Sequence, residues 1–217
     1  MKARVTLIVI AKSPRPGRVK TRLCPPCTPE EAAALAEAAL RDTLAVLLEV
    51  PAYRRVIALD GPPGYWLPPG YDVVPQVGAG LAERLANAFD AVRGPAFLVG
   101  MDTPQIDVAL ATSAVAVLSE PDTDAVLGPA CDGGWWGIGL CRPDGRVFQG
   151  VEMSTPHTHS QQLSRLAALG LRTRGLETLR DVDEFPDALA VAAAAPSTRF
   201  AAAVGDLEPR LRARALA

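Results

Sequence analysis

Residues 4–23 read RVTLIVIAKSPRPGRVKTRL. The opening part, RVTLIVIA, is short, apolar and rich in β-branched side chains, the pattern of a strand buried on both faces. It runs into Lys-Ser-Pro, which ends the strand and opens a loop. In that loop Lys12, Arg15, Arg18, Lys20 and Arg22 put five cations into eleven residues with no acid among them. Pro14 and Pro16 restrict the backbone and Gly17 allows a turn, so the cations are held rather than left free. Like charges this dense repel unless an anion collects them, and phosphate accepts both a forked guanidinium and a point-charge ammonium. A diphosphate or triphosphate fits; a solvated basic loop or a nucleic-acid contact are the competing explanations. The P-loop spacing G-x-x-x-x-G-K-[ST] is absent.

The totals make any anion site local. The 217 residues carry a formal net charge of -2, and the pI of about 5.7 gives no global field for gripping a duplex. No nucleic-acid partner is expected. With 49% hydrophobic residues, a chain of this length suits a single α/β domain. No apolar run reaches the roughly 18 residues that span a bilayer, and the start turns polar without a small-residue cleavage site, so a soluble cytoplasmic protein is expected. Oligomeric state is not legible.

Outward from the basic loop, strands and helices alternate. TPEEAAALAEAALRDTLAVLLEV begins with Thr28 at the N-cap, Pro29 at the first helical position and Glu31 completing a capping box, and Pro51 marks its end. RRVIALD and YDVVPQ read as strands, GLAERLANAFDAVRG as a helix stopped at Gly94, and AFLVG as a strand ending at Asp102. VALATSAVAVLSE is a further helix, DAVLGPA and GWWGIGL further strands, and HSQQLSRLAALG a helix closed by Gly170. LRTRGLETLRDVDE reads as a strand or extended arm, FPDALAVAAAA as a short helix, and LEPRLRARALA as a marginal, partly solvated one with Arg210, Arg212 and Arg214 as its charged face. This alternation predicts a mainly parallel sheet covered on both faces.

In such sheets ligands lie beyond the carboxyl ends of the strands. The basic loop, Asp102 and the turn Asp132-Gly133-Gly134 all follow strands and can share that edge. Asp102 can reach a divalent ion, for which hard oxygen donors suit Mg²⁺ or Mn²⁺, or it can cap the helix near Pro104. Asp181 and Asp183, at i and i+2 on an extended segment, face one side as ligands would, or form an exposed turn. Of Trp135 and Trp136, one indole belongs in the core and the other can line a pocket. Cys24 and Cys27 form a C-x-x-C that reads as small side chains beside prolines rather than half of a zinc site, and His157 and His159 read as a polar loop.

AKSPRPGRVKTRL, GAGLAERLANAF, LVGMDTPQI, AVLGPACDGGWWGIGL, VFQGVEMSTPHT and LRDVDEFPDAL together resemble the bacterial DUF2064, or "transferase 1", proteins of the glycosyltransferase-A fold. These are similar in turn to phospholactate guanylyltransferases and molybdenum-cofactor guanylyltransferases. The resemblance implies a mixed, mainly parallel sheet in one nucleotide-binding transferase domain over residues 1–200, with residues 201–217 a tail forming a short helix. It implies a nucleoside triphosphate or nucleotide sugar, a small-molecule acceptor and Mg²⁺ or Mn²⁺ as cofactor. Ala11, Lys12, Arg18, Lys20 and Arg22 would meet the phosphates. Asp102, Asp181 and Asp183 would hold the metal, Asp132, Gly133 and Gly134 would contact the acceptor, and Lys20 with Asp102 would be the catalytic pair. Two departures stand out: Asp102 is followed by Thr103 and Pro104 where sugar transferases carry Asp-x-Asp, and the Gly-rich loop of the molybdenum-cofactor branch is replaced by Pro-Arg-Pro-Gly. The single Asp leans toward nucleotidyl transfer; a non-catalytic nucleotide or phosphosugar binder is the alternative.

Overall fold

The computed structural model describes residues 5–215. Seven strands form one sheet: β1 (Thr6–Lys12), β2 (Arg54–Asp60), β3 (Asp72–Pro75), β4 (Ala96–Val99), β5 (Ala125–Pro129), β6 (Trp135–Leu140) and β7 (Thr173–Gly175). Their order is β3-β2-β1-β4-β6-β5-β7. Every pairing is parallel except those of β6, which runs antiparallel to both β4 and β5. The chain begins in the middle, builds outward to β3, and returns to the other side of β1 with β4. The order therefore reverses between β1 and β4, where the carboxyl ends of two adjacent strands open a crevice. Because β6 is antiparallel, its first residue, Trp135, lies at this same edge.

Alternation along β1 sets the two layers. Leu7, Val9 and Ala11 pack into a core cluster with α1 (Pro29–Glu49) and α3 (Val108–Leu118). Ile8 joins the opposite cluster with α2 (Leu81–Asp90) and α4 (Thr158–Ala168). α1 starts as its sequence predicts, with Thr28 Oγ1 accepting from Glu31 N–H at 3.3 Å and the Glu31 carboxylate accepting from Thr28 N–H at 2.9 Å.

A third cluster covers the outer face of α1, where Ala32, Leu35 and Ala39 meet α5 (Phe185–Ala194) and α6 (Arg199–Ala215). Here the structure corrects the expected marginal terminal helix. α6 is 17 residues long and buries Phe200, Val204, Leu207 and Leu211, which recur at helical spacing but stand among alanines and arginines. Arg210 and Arg214 stay exposed, as expected of a charged face, and Arg214 also clasps Glu31 with two hydrogen bonds of 2.6 and 2.8 Å; the side chain of Arg212 lies outside the described residues. Leu23, at the exit of the basic loop, is fully buried in this cluster and fixes one end of the loop to the scaffold. Among the described residues no helix is long and apolar enough to cross a membrane.

Candidate functional site

The crevice between β1 and β4 widens into a cleft of about 620 Å³. The loop after β1 forms one wall. Its Arg18 N–H turns back to Arg15 O at 3.0 Å, and Lys20 adopts a left-handed backbone (φ 47°) before a short 3₁₀ turn, Thr21–Leu23. That conformation is unfavourable for a residue with a Cβ and aims a side chain where regular structure would not. The only other non-glycine residue with positive φ among those described is Ser154 (φ 61°). Both line the cleft. Two strained residues from distant parts of the chain thus converge on one cavity, as strain does at ligand sites.

The opposite wall is acidic. β4 delivers Gly100, Met101 and Asp102, and Gly100 lacks a Cβ where one would come within 2.7 Å of Asp102 Oδ1. Asp102 does not cap α3; Asp107 does, its carboxylate accepting from Leu110 N–H at 2.7 Å. Asp102 carbonyl instead accepts from Val182 N–H at 2.9 Å, tying the late extended arm to the end of β4. Val182 points into the core at 2% exposure, so Asp181 and Asp183 flank it on the cleft side. Carboxylate oxygens of Asp102, Asp181 and Asp183 lie within 4.8 Å of one another, and among the described residues this is the one metal-type cluster.

Lys20 joins the walls. Its Nζ donates to Asp102 Oδ2 at 2.9 Å and Asp183 Oδ1 at 3.1 Å, and Arg22 holds the other Asp183 oxygen at 2.8 Å. Burial opposes the charge on Lys20, but the attraction of Asp102 and Asp183 outweighs it and holds the ammonium above the ordinary lysine value. Asp181 has neither cation as a partner. Burial first, then the neighbouring charges of Asp102 and Asp132, push its carboxyl up to about 7.

Asp132 Oδ1 accepts from Gly134 N–H at 2.7 Å in a turn closed by Ala130 and Gly134, and no cation is paired with it among the described residues. Every predicted site residue lines the cleft except Gly133. At Gly133 (φ 89°) the space a side chain would need is filled by the backbone of Pro156; the close approach expected of a ligand is made by the protein itself. Trp136 is the core indole, edge-to-face with Phe97 at 6.0 Å and donating from Nε1 to Glu177 O at 2.8 Å. Both tryptophans border the cleft, and Trp135 is the less buried of the two.

Sequence reasoning did not find Gln76, Arg84, Met153 and Ser154, which also line the cleft. Gln76 Nε2 donates to Ala11 O and Ala58 O at 2.7 and 3.0 Å, bracing the exits of β1 and β2. Arg84 pairs with Asp60 at 3.0 Å. Its signal was present in GAGLAER, a glycine loop opening a helix whose N-terminus can face an anion. Cys24 and Cys27 pack against or within the α1/α6 cluster, and burial pushes the Cys27 thiol up to about 11, the opposite of a reactive or metal-binding thiolate. A broader depression of about 870 Å³ beyond α2, lined by Ala86, Arg146 and Phe148 among others, contains none of the predicted residues.

The family designated DUF2064, described as an uncharacterized protein conserved in bacteria, matches residues 32–155. No curated protein matches the chain. A crystal structure of a candidate nucleotide-diphospho-sugar transferase from Desulfovibrio desulfuricans G20 superposes with a TM-score of 0.84 at 26% identity, covering 96% of each chain. 2-C-methyl-D-erythritol 4-phosphate cytidylyltransferase from Thermus thermophilus has a TM-score of 0.54 at 17% identity, covering 88% of this chain and 98% of its own. Rv0371C of Mycobacterium tuberculosis H37Rv, in complex with manganese, has a TM-score of 0.54 at 19% identity over the same shares. The fold is thus the glycosyltransferase-A and nucleotidyltransferase-like one, and none of these likenesses singles out guanylyltransferases.

Proposed function

The chain belongs to the DUF2064 family, and from that premise and the division of the cleft into cationic and acidic walls we propose a metal-dependent transferase using a nucleoside triphosphate or nucleotide sugar. The observation that carries this reading is the charge pattern. Lys12, Arg18, Lys20, Arg22 and Arg84 all precede Asp102, Asp132, Asp181 and Asp183 in the chain, and all of them line one cavity. The lone Asp102 at the strand end favours nucleotidyl over glycosyl transfer.

Three clustered carboxylates offer hard oxygen donors, and two of them already share a cation, the Lys20 ammonium; the residues fit Mg²⁺ or Mn²⁺. Asp102, Asp181 and Asp183 would hold the ion, which when bound neutralises phosphate charge and polarises a phosphoryl oxygen. The chain's own cations do the rest of the electrostatic work. Lys12, Arg18 and Arg22 bind the phosphates and stabilise charge as it grows on the leaving group, each well-placed donor contributing roughly 10²- to 10³-fold in rate. On the far wall Asp132, Trp135 and Ser154 present a carboxylate, an indole and a hydroxyl without a cation. That wall suits an acceptor that brings a hydroxyl group rather than a further anion, and its role is to align the acceptor for attack.

A thermal-shift panel of the four nucleoside triphosphates and common nucleotide sugars, with and without Mg²⁺, tests this. A ligand at about 100 times its dissociation constant adds roughly 2.7 kcal/mol. Stabilisation by one class, with release of pyrophosphate or of a nucleoside diphosphate on adding acceptors, is expected. Stabilisation with no product from any acceptor would support a binding protein on this fold, and no stabilisation by any member would remove the nucleotide reading.

A further inference from the structure

Lys20 already pairs with carboxylates that a metal ion would need. Its ammonium takes Asp102 Oδ2 and Asp183 Oδ1, at 2.9 and 3.1 Å, so two of the three carboxylates in the metal-type cluster already hold a cation tethered to the protein. Only 12% of the side chain is exposed, and the left-handed backbone at φ 47° fixes where its stem begins. A divalent ion bound by Asp102, Asp181 and Asp183 would draw on the same carboxylates and repel the ammonium beside them. The ammonium must then leave, and leaving a pair of carboxylates for a largely buried position without an anion is unfavourable. The neighbouring side chains on its own wall, Lys12, Arg18 and Arg22, give it no counter-charge.

A polyphosphate arriving with the ion removes this obstacle, because the ammonium can pass from carboxylate to phosphate and stay paired throughout. Resting on the metal reading above, we propose that Lys20 is a positioning residue that makes the site select a divalent cation–polyphosphate complex over the free cation. Free ion competes with Lys20, whereas the complex recruits it. The coupling is reciprocal: metal favours polyphosphate and polyphosphate favours metal, through one side chain.

The test uses the full chain and two titrations, free Mn²⁺ followed by electron paramagnetic resonance and Mg²⁺-pyrophosphate followed by calorimetry. Lys20→Met should bind free Mn²⁺ at least tenfold more tightly than the parent protein and Mg²⁺-pyrophosphate at least tenfold more weakly. Lys20→Arg keeps the charge and should retain the parent's weak affinity for free Mn²⁺. Circular dichroism on both variants verifies folding, and a parent-like Lys20→Arg shows that the backbone at this position tolerates exchange. Equal or weaker Mn²⁺ binding by Lys20→Met would overturn the inference. The metal reading is scored separately: Asp102→Asn in the Lys20→Met background should abolish Mn²⁺ binding, and if it leaves that binding unchanged the metal site itself falls, and this inference with it.

Discussion

Arg22 and Asp183 form an ion pair of 2.8 Å in which 63% of one side chain and 31% of the other remain exposed. Exposed pairs of this kind are worth about 0–1 kcal/mol, so the pair is a poor explanation for why Arg22 is there. Arg22→Ala, alone or with Arg18→Ala, should leave the melting temperature nearly unchanged. Polyphosphate affinity should fall by roughly ten- to a hundredfold per arginine, the range of a lost charged hydrogen bond of about 1.5–3 kcal/mol. Calorimetry with Mg²⁺-pyrophosphate checks this, and parent-like affinity in the double variant would detach the basic loop from phosphate binding.

Asp102 supplies a carboxylate to the metal-type cluster and a backbone carbonyl to Val182. Asp102→Asn keeps the second and removes the charge of the first, so the arm should stay docked while Mn²⁺ affinity and any metal-supported turnover fall by two orders of magnitude or more, on the order of 10²-fold for a well-placed charge. Lys20 retains Asp183 as a partner, which limits the loss of stability. A near-native melting temperature together with undiminished turnover at saturating nucleotide would place the chemistry elsewhere.

These residues were legible because their signals are local. A β-branched run ending in a Pro/Gly loop, a capping box at Thr28 and Glu31, and a carboxylate at the end of an apolar run each state their structure within a few positions. The alternation of Asp181, Val182 and Asp183 likewise gave the facing of two carboxylates, and Val182 is buried between them. What the sequence withholds is set by distant pairing. Nothing within WWGIGL says that it inserts antiparallel between β4 and β5; Gly137 and Gly139 leave room for Phe97 and Val126 of the adjacent strands, since a Cβ there would crowd them at 3.1 and 2.6 Å. Ser154 reaches the cleft only through the fold of its loop. Nothing near Gly133 in the sequence says that the backbone of Pro156 packs against it.

Asp181 gives the metal-free protein a pH dependence whose sign can be worked out. Its native pKa of about 7 lies above the unfolded value of about 3.9, so between these limits the native state keeps a proton that the unfolded chain has released. Stability from this group is full below about pH 4 and is lost as pH rises through 7. Urea unfolding at pH 5 and pH 8 should show the midpoint dropping in the parent protein and dropping less in Asp181→Asn. Identical pH slopes in the two proteins would mean that Asp181 is not held neutral by its neighbours.

Asp42 tests the scaffold behind the basic loop. It lies within α1 at 5% exposure, and its carboxylate accepts from the N–H groups of Arg199 and Phe200 at 3.2 and 2.8 Å and from the Arg199 guanidinium at 3.1 Å. One helix thereby caps another, since these donors belong to the first turn of α6 and lack partners within it. Asp42→Ala should cost about 2–3 kcal/mol, the sum expected of a lost cap and an orphaned buried N–H, and lower the melting temperature by roughly 5–10 °C in a domain of this size. Asp42→Asn retains an acceptor and should recover part of the loss. Because Leu23 sits in the same cluster as Phe200, Asp42→Ala should also speed amide hydrogen exchange across Thr21–Leu23. Loosened exchange in α6 with no change at Leu23 would show that the loop is anchored independently of the terminal helix.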